Sequence, residues 1–144
     1  MRFHVEQQLA TGAVKQIPNN IGQFITQRAN LHPRTEASVD VTGGTRLTYP
    51  ELNARCNKVA NALRDGGLEA GDRVATLLMN GPEFIETFFG GAKVGAVTVA
   101  LNWRLVADEL SFILNDSGSS VLVFGTAFNE VATELHERGA GGTQ

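Results

Sequence analysis

From residue 71 onward, apolar segments of strand length alternate with helical stripes, and no other feature of the chain constrains its fold as strongly. Val74-Ala75-Thr76-Leu77-Leu78-Met79 is a nearly unbroken apolar run, the pattern of a strand covered on both faces. Asn80-Gly81-Pro82-Glu83 then reads as a strand-to-helix turn, with proline set for the first helical turn and a carboxylate beside the positive helix end. Phe84, Ile85, Phe88, Phe89 and Ala92 follow at helical spacing, ending near Gly95. Ala96-Val97-Thr98-Val99-Ala100-Leu101 predicts a second buried strand. A helix over 108–116 turns Leu110, Ile113 and Leu114 inward, Val121-Leu122-Val123-Phe124 is a third strand, and Phe128, Val131, Ala132 and Leu135 stripe a last helix. Strands separated by helices of this length form right-handed βαβ crossovers. The sequence therefore predicts an α/β fold: a three-layer, mostly parallel open sheet with helices on both faces.

The upstream part adds an N-terminal helix and a short hairpin. Asn19 and Asn20 can cap a helix whose face is Ile21, Phe24, Ile25 and Ala29, stopped before His32-Pro33. Thr42-Gly43-Gly44-Thr45 separates two short alternating segments, 37–41 and 46–48, a hairpin signal because glycine supplies the positive φ of a tight turn. From about Pro50, Leu52, Cys56, Val59, Ala60 and Leu63 recur on one helical stripe that Gly66-Gly67 ends. Residues 17–138 read as one α/β unit, between a flexible N-terminal segment over 1–16 and a flexible glycine-rich tail over 139–144.

Composition narrows the function. Twelve Lys and Arg against fifteen Asp and Glu leave a net charge of −3, too balanced for a nucleic-acid footprint. No run approaches the roughly 18 apolar residues of a spanning helix, and a polar start from Met1 to Glu6 offers no secretory signal. One cysteine, Cys56, excludes an internal disulfide and fits a reducing, cytoplasmic compartment. Cys56 also lies on the buried stripe of its helix, which marks it as a core residue and not a nucleophile. His4, His32 and His136 are scattered, with no spacing suited to a metal.

Ligands of open α/β sheets bind beyond the carboxyl ends of the strands. Those positions are Asn80-Gly81, Asn102-Trp103-Arg104 and Gly125-Thr126. Arg104 could fork onto an anion there; equally, it could stay solvated or pair with Asp108, with Asn and Gly serving the turns alone. Gly90-Gly91-Ala92-Lys93 is followed by Val94, so no GxxxxGK[ST] loop exists, and GxGxxG is also missing. Gly91 and Gly95 read as close-approach positions, and Lys93 as a charge set against the helix dipole. GxSxG does not occur. The cluster Phe84, Ile85, Phe88 and Phe89 is wider than one sheet needs. Either other helices cover it or it is an interface.

Taken in order, Leu47-Thr48-Tyr49-Pro50-Glu51-Leu52, Gly71-Asp72-Arg73-Val74, Asn80-Gly81-Pro82-Glu83-Phe84, Gly91-Ala92-Lys93-Val94-Gly95-Ala96-Val97, Asn102-Trp103-Arg104-Leu105, Glu109-Leu110 and Asn115-Asp116-Ser117-Gly118 resemble the N-terminal portion of an acyl-CoA synthetase. The family is the adenylate-forming, AMP-binding one, and the flavour is that of fatty-acid-CoA ligases. The likeness runs from about Ile17 to Leu135. Val106-Ala107-Asp108 departs from the Thr/Ser-Pro-Glu helix start that is commoner there.

The resemblance implies a partial N-terminal subdomain of the acyl-CoA synthetase fold. It implies an enzyme that joins a carboxylic acid to ATP with Mg²⁺, releases pyrophosphate, and passes the acyl group to coenzyme A. The family's Ser/Thr/Gly-rich phosphate loop, its aromatic-Gly-x-Thr-Glu segment, its ribose-holding Asp and its C-terminal lysine are not in this sequence. The resemblance thus implies no catalytic residue, cofactor or metal site here, and a chain that is inactive alone. Asn102 and Arg104 are the implied contributors to the acyl or coenzyme A approach. A second reading is a non-catalytic module that self-associates through its Phe-rich helix.

Overall fold

The computed structural model describes residues 20–142; the expected N-terminal segment over 1–16 and the cap at Asn19 lie outside them. In chain order the elements are α1 (Gly22–Leu31), β1 (Glu36–Val39), β2 (Arg46–Thr48), α2 (Tyr49–Asp65), β3 (Arg73–Leu77), α3 (Pro82–Val94), β4 (Val97–Ala100), α4 (Ala107–Ser117), β5 (Val121–Phe124) and α5 (Asn129–Glu137). Short 3-10 turns, Thr126–Phe128 and Ala140–Gly142, flank α5. β1 and β2 form the antiparallel hairpin, and the other strands form a parallel sheet in the order β4-β3-β5. The α/β architecture with helices on both faces stands as expected.

Strand β3 sits at the centre because its side chains serve two cores. Ala75 and Leu77 point to one face and pack with Leu101, Leu110, Leu114 and Leu135. Val74 points to the other and packs with Leu63 and Leu68, joined by Val59, Val94 and Val123. This is the period of two expected of a pleated strand. The register carries it across the sheet, since Val74 lies beside Thr98 and Val121 while Ala75 lies beside Val99 and Leu122. No residue from Val74 to Leu77 is more than 1% exposed.

The second strand is not buried as its composition suggests. β4 pairs on one side only, with β3, and Val97 is 53% exposed. A strand with a single neighbour keeps an open edge, so its apolar content reflects the one face turned to the core.

Helix α3 lies close to both neighbours through glycine. A Cβ on Gly90 would come within 2.8 Å of Val59 Cβ, and one on Gly91 within 3.2 Å of Val74 Cγ1. Gly91 therefore does permit close approach. Gly95 serves differently: with φ of 90° it is the left-handed cap of α3, a conformation that costs a side chain roughly 1–2 kcal/mol.

The same device rotates α1. Its buried side is Gly22 and Ile25, while Ile21 and Phe24, expected on the buried face, are 58% and 43% exposed. Gly22 is pressed onto the backbone of Ala92 and Lys93, where a Cβ would meet Lys93 N at 2.5 Å. Backbone contact on that side turns the bulkier pair outward. Asn20 caps the helix, its Oδ1 accepting the Gly22 N–H at 2.7 Å.

Helix α2 begins as a capping box. Glu51 Oε2 accepts the Thr48 N–H at 2.8 Å and its hydroxyl at 2.7 Å, and those bonds hold the Glu51 carboxyl below the ordinary glutamate range. Helix α4 has half of this arrangement. Glu109 accepts the Val106 N–H at 3.2 Å, but valine has no oxygen to return to the helix.

Packing runs past residue 138, where a flexible tail was expected to start. Ala140 is 2% exposed against Leu114 and Leu135, and Gly141 donates its N–H to Asn115 Oδ1 at 2.7 Å. Small residues allow this contact: a Cβ on Gly141 would lie 2.9 Å from the Ser119 carbonyl oxygen.

Two substitutions test these points. Gly22→Ala puts a methyl group into backbone that cannot rotate away, so urea denaturation should show a loss of about 1–3 kcal/mol. Val106→Thr supplies the missing acceptor at an exposed position and should raise stability by about 1 kcal/mol in the same measurement.

Candidate functional site

The carboxyl ends of β3 and β5 do form a hollow. Leu77 and Phe124 are register partners, and Gly125 N–H bonds to Leu77 O at 3.1 Å. These contacts bring Asn80-Gly81, after β3, beside Gly125-Thr126, after β5. Together with the hairpin turn at Asp40, Thr42 and Gly43 they bound a cleft of about 820 Å³, floored by Val59, Leu78 and Val123. The first turn of α3 opens onto it, and Thr87 ties that turn by donating its hydroxyl to Glu83 O at 2.8 Å.

The third expected rim segment stays apart. Asn102 and Arg104 follow β4 on the opposite edge and do not line the cleft. Asn102 Oδ1 accepts the Arg104 N–H at 3.1 Å, which closes the turn. The Arg104 guanidinium lies 4.1 Å from the Trp103 ring centroid, a stacking contact that holds a cation on an exposed ring. Asp108 is engaged elsewhere, with Arg138. Arg104 is thus neither paired with Asp108 nor loose in solvent; it is presented by the neighbouring indole.

Among the described residues the cleft carries one sign of charge: Asp40, Glu83 and Glu86 line it, and no Lys, Arg or His does. Glu86 is paired with Arg55 at 3.0 Å; Asp40 accepts the Thr42 N–H at 3.0 Å. Such a surface repels phosphate and carboxylate groups. Among the described residues, no group of three or more His, Cys, Asp and Glu is placed to hold a metal ion.

Sequence reasoning missed the most connected polar group. Lys93 is not a simple partner of the helix dipole. Its Nζ donates to Thr26 Oγ1 at 2.6 Å and Asn53 Oδ1 at 2.9 Å, and Thr26 donates to the same Asn53 oxygen at 3.1 Å. One ammonium thereby joins α1, α2 and α3. Burial lowers the Lys93 pKa and raises that of the neighbouring Cys56 thiol to about 11, with Lys93 drawing it partly back. Cys56 is fully buried and stays a thiol at neutral pH, a core residue as expected. A signal for Lys93 did exist. Ile85, Phe89 and Lys93 fall four apart on α3, and the first two pack against Ile25, Leu52 and Cys56.

The Phe-rich helix is partly covered, with Phe84, Ile85, Phe88 and Phe89 each half-buried. Ile85 and Phe89 face that cluster, and the Phe88 and Phe89 rings meet edge to face at 5.2 Å. More exposed apolar surface lies elsewhere, with Phe112 70% exposed and Phe24 and Phe124 each 43% exposed.

The model of the AMP-binding enzyme family matches residues 25–142. The chain belongs to that family. It is 48% identical over 106 residues to the long-chain-fatty-acid–CoA ligase FadD13 of Mycobacterium tuberculosis, a match that covers 74% of this chain and 21% of the relative. It is 46% identical over 115 residues to a feruloyl-CoA synthase of Amycolatopsis, covering 80% of this chain and 23% of that protein. Its fold matches a crystal structure of the N-terminal domain of FACL13 from Mycobacterium tuberculosis with a TM-score of 0.78 and 45% identity, over 81% of this chain and 30% of that one. The fold matches that of acyl-CoA synthetase N-terminal domains, and the chain spans about a fifth of the length of the curated relatives it matches. No helix among the described residues is long and apolar enough to cross a membrane.

Because Lys93 is the one cation in its three-helix node, Lys93→Met should lower stability by about 1–3 kcal/mol in urea denaturation, the range of bonds to a charged group. The thiol of Cys56, whose pKa Lys93 draws down, should then react more slowly with iodoacetamide.

Proposed function

We propose that this polypeptide is the opening part of an ATP-dependent fatty-acyl-CoA ligase. The whole enzyme would form an acyl-adenylate from a carboxylic acid and ATP, with Mg²⁺, and transfer the acyl group to coenzyme A. The observation that carries this reading is the match to the FadD13 ligase at 48% identity, on a fold shared with acyl-CoA synthetase N-terminal domains. Partners of the whole enzyme are then small molecules and not nucleic acid, and the one buried, free cysteine of this chain fits the cytoplasm.

The residues present do not fit Mg²⁺-ATP. Among the described residues that line it, the acidic cleft has no basic side chain and so lacks the cation that a leaving pyrophosphate needs. No adenylation step is therefore routed through them, and the chain alone is inactive in this reading. What it offers the whole enzyme is a scaffold and, at the end of β4, the stacked Arg104 with its Asn102-closed turn. A stacked guanidinium on an exposed rim suits one of the anionic groups of coenzyme A.

Pyrophosphate exchange tests both parts. The 144-residue chain with ATP, Mg²⁺ and a fatty acid should give none, and exchange by it alone overturns the proposal of inactivity. In a polypeptide extended through the downstream coding region, exchange should occur. Arg104→Ala there should raise the KM for coenzyme A roughly tenfold, the loss of one charged hydrogen bond, and leave exchange unchanged. An unchanged KM removes Arg104 from the site.

A further inference from the structure

The exposed face of α1 and the acidic cleft are complementary, and we propose that this chain associates head to tail with a second copy of itself, α1 of one molecule seated in the cleft of the next. This inference rests on the two surfaces and not on the ligase reading.

Ile21, Phe24, Arg28 and Leu31 recur along one stripe of α1. Three of them are large apolar side chains left 58%, 43% and 69% exposed. The Arg28 guanidinium stands 5.0 Å over the Phe24 ring, so the stripe is apolar with one positive charge, and the helix GQFITQRANL holds no carboxylate. Residues spaced in this way are the anchors by which a helix enters a groove. Among the described residues nothing covers this stripe. Gly22 fixes its other side against Ala92 and Lys93, which points the stripe outward.

The cleft offers the converse surface. It runs on into a second hollow of about 340 Å³ through Asp40, Asn80, Gly81 and Pro82, which line both. Its apolar walls include Met79 and Phe124, themselves 52% and 43% exposed. Asp40 and Glu83 give it negative charge, and among the described residues neither is in an ion pair and no basic side chain lines either hollow. An apolar, basic helix face is the occupant that this charge pattern selects. Since the two surfaces differ, the contact is heterologous and builds chains instead of closing on a two-fold axis.

Sedimentation velocity on the purified 144-residue chain tests it. The average mass should rise with concentration beyond that of a dimer, more so at low salt. R28E and E83K should each weaken association at least tenfold, and the double variant R28E/E83K, which restores opposite charges across the contact, should regain it. F24D removes an apolar anchor without touching the cleft and should also leave monomers; circular dichroism checks that each variant is folded. A chain that stays monomeric at every concentration overturns the proposal. So does association that the single variants leave unchanged, or that the double variant fails to recover.

Discussion

Every layer of this molecule is referenced to the contacts that α3 makes with α2 and β3. Gly90 and Gly91 remove the side chains that would hold the helix away, so Val59 and Val74 fill the space directly. That approach seals one face of the central strand, and α4 and α5 seal the other. Burial of Val74 to Leu77 on both faces follows. A larger residue at either glycine would have to move a backbone or a β-branched side chain, and packed interiors resist both.

These contacts also explain how the N-terminal helix is held. Once α3 is seated, its far end presents Ala92 and Lys93 as a surface for Gly22, and the Lys93 ammonium extends across to Thr26 and Asn53. A lysine placed among apolar helices is costly unless its charge is met. Here two side-chain oxygens meet it, both supplied by helices that the same contacts have brought near. Apolar packing sets the distances, and the polar node then fixes which rotation of α1 is allowed.

The order and type of the elements were legible from residue 71 onward because period-two and period-3.6 patterns report directly on which side chains face a core. Three matters were not. The edge position of β4 depends on strand order, and Ala96-Val97-Thr98-Val99 reads the same at an edge as in the centre. The rotation of α1 depends on a side chain that is absent, Gly22, whereas periodicity weighs only those present. The tail read as flexible because glycine was counted as freedom; at Gly141 it is instead the condition for contact with Ser119 and Leu114. At the candidate site the three rim segments were legible as loops at strand ends, but their grouping followed from strand order. Two meet across β3 and β5, and Asn102 with Arg104 falls on the far edge.

That separation bears on how chemistry is distributed in an enzyme of this family. A cleft with Asp40, Glu83 and Glu86 and no cation is set against the phosphates and carboxylates of every substrate such an enzyme handles. The opposite edge presents a guanidinium stacked on Trp103. The sheet thus shows carboxylates at one edge and a stacked cation at the other. The strand order β4-β3-β5, with β3 between them, keeps the two fields apart.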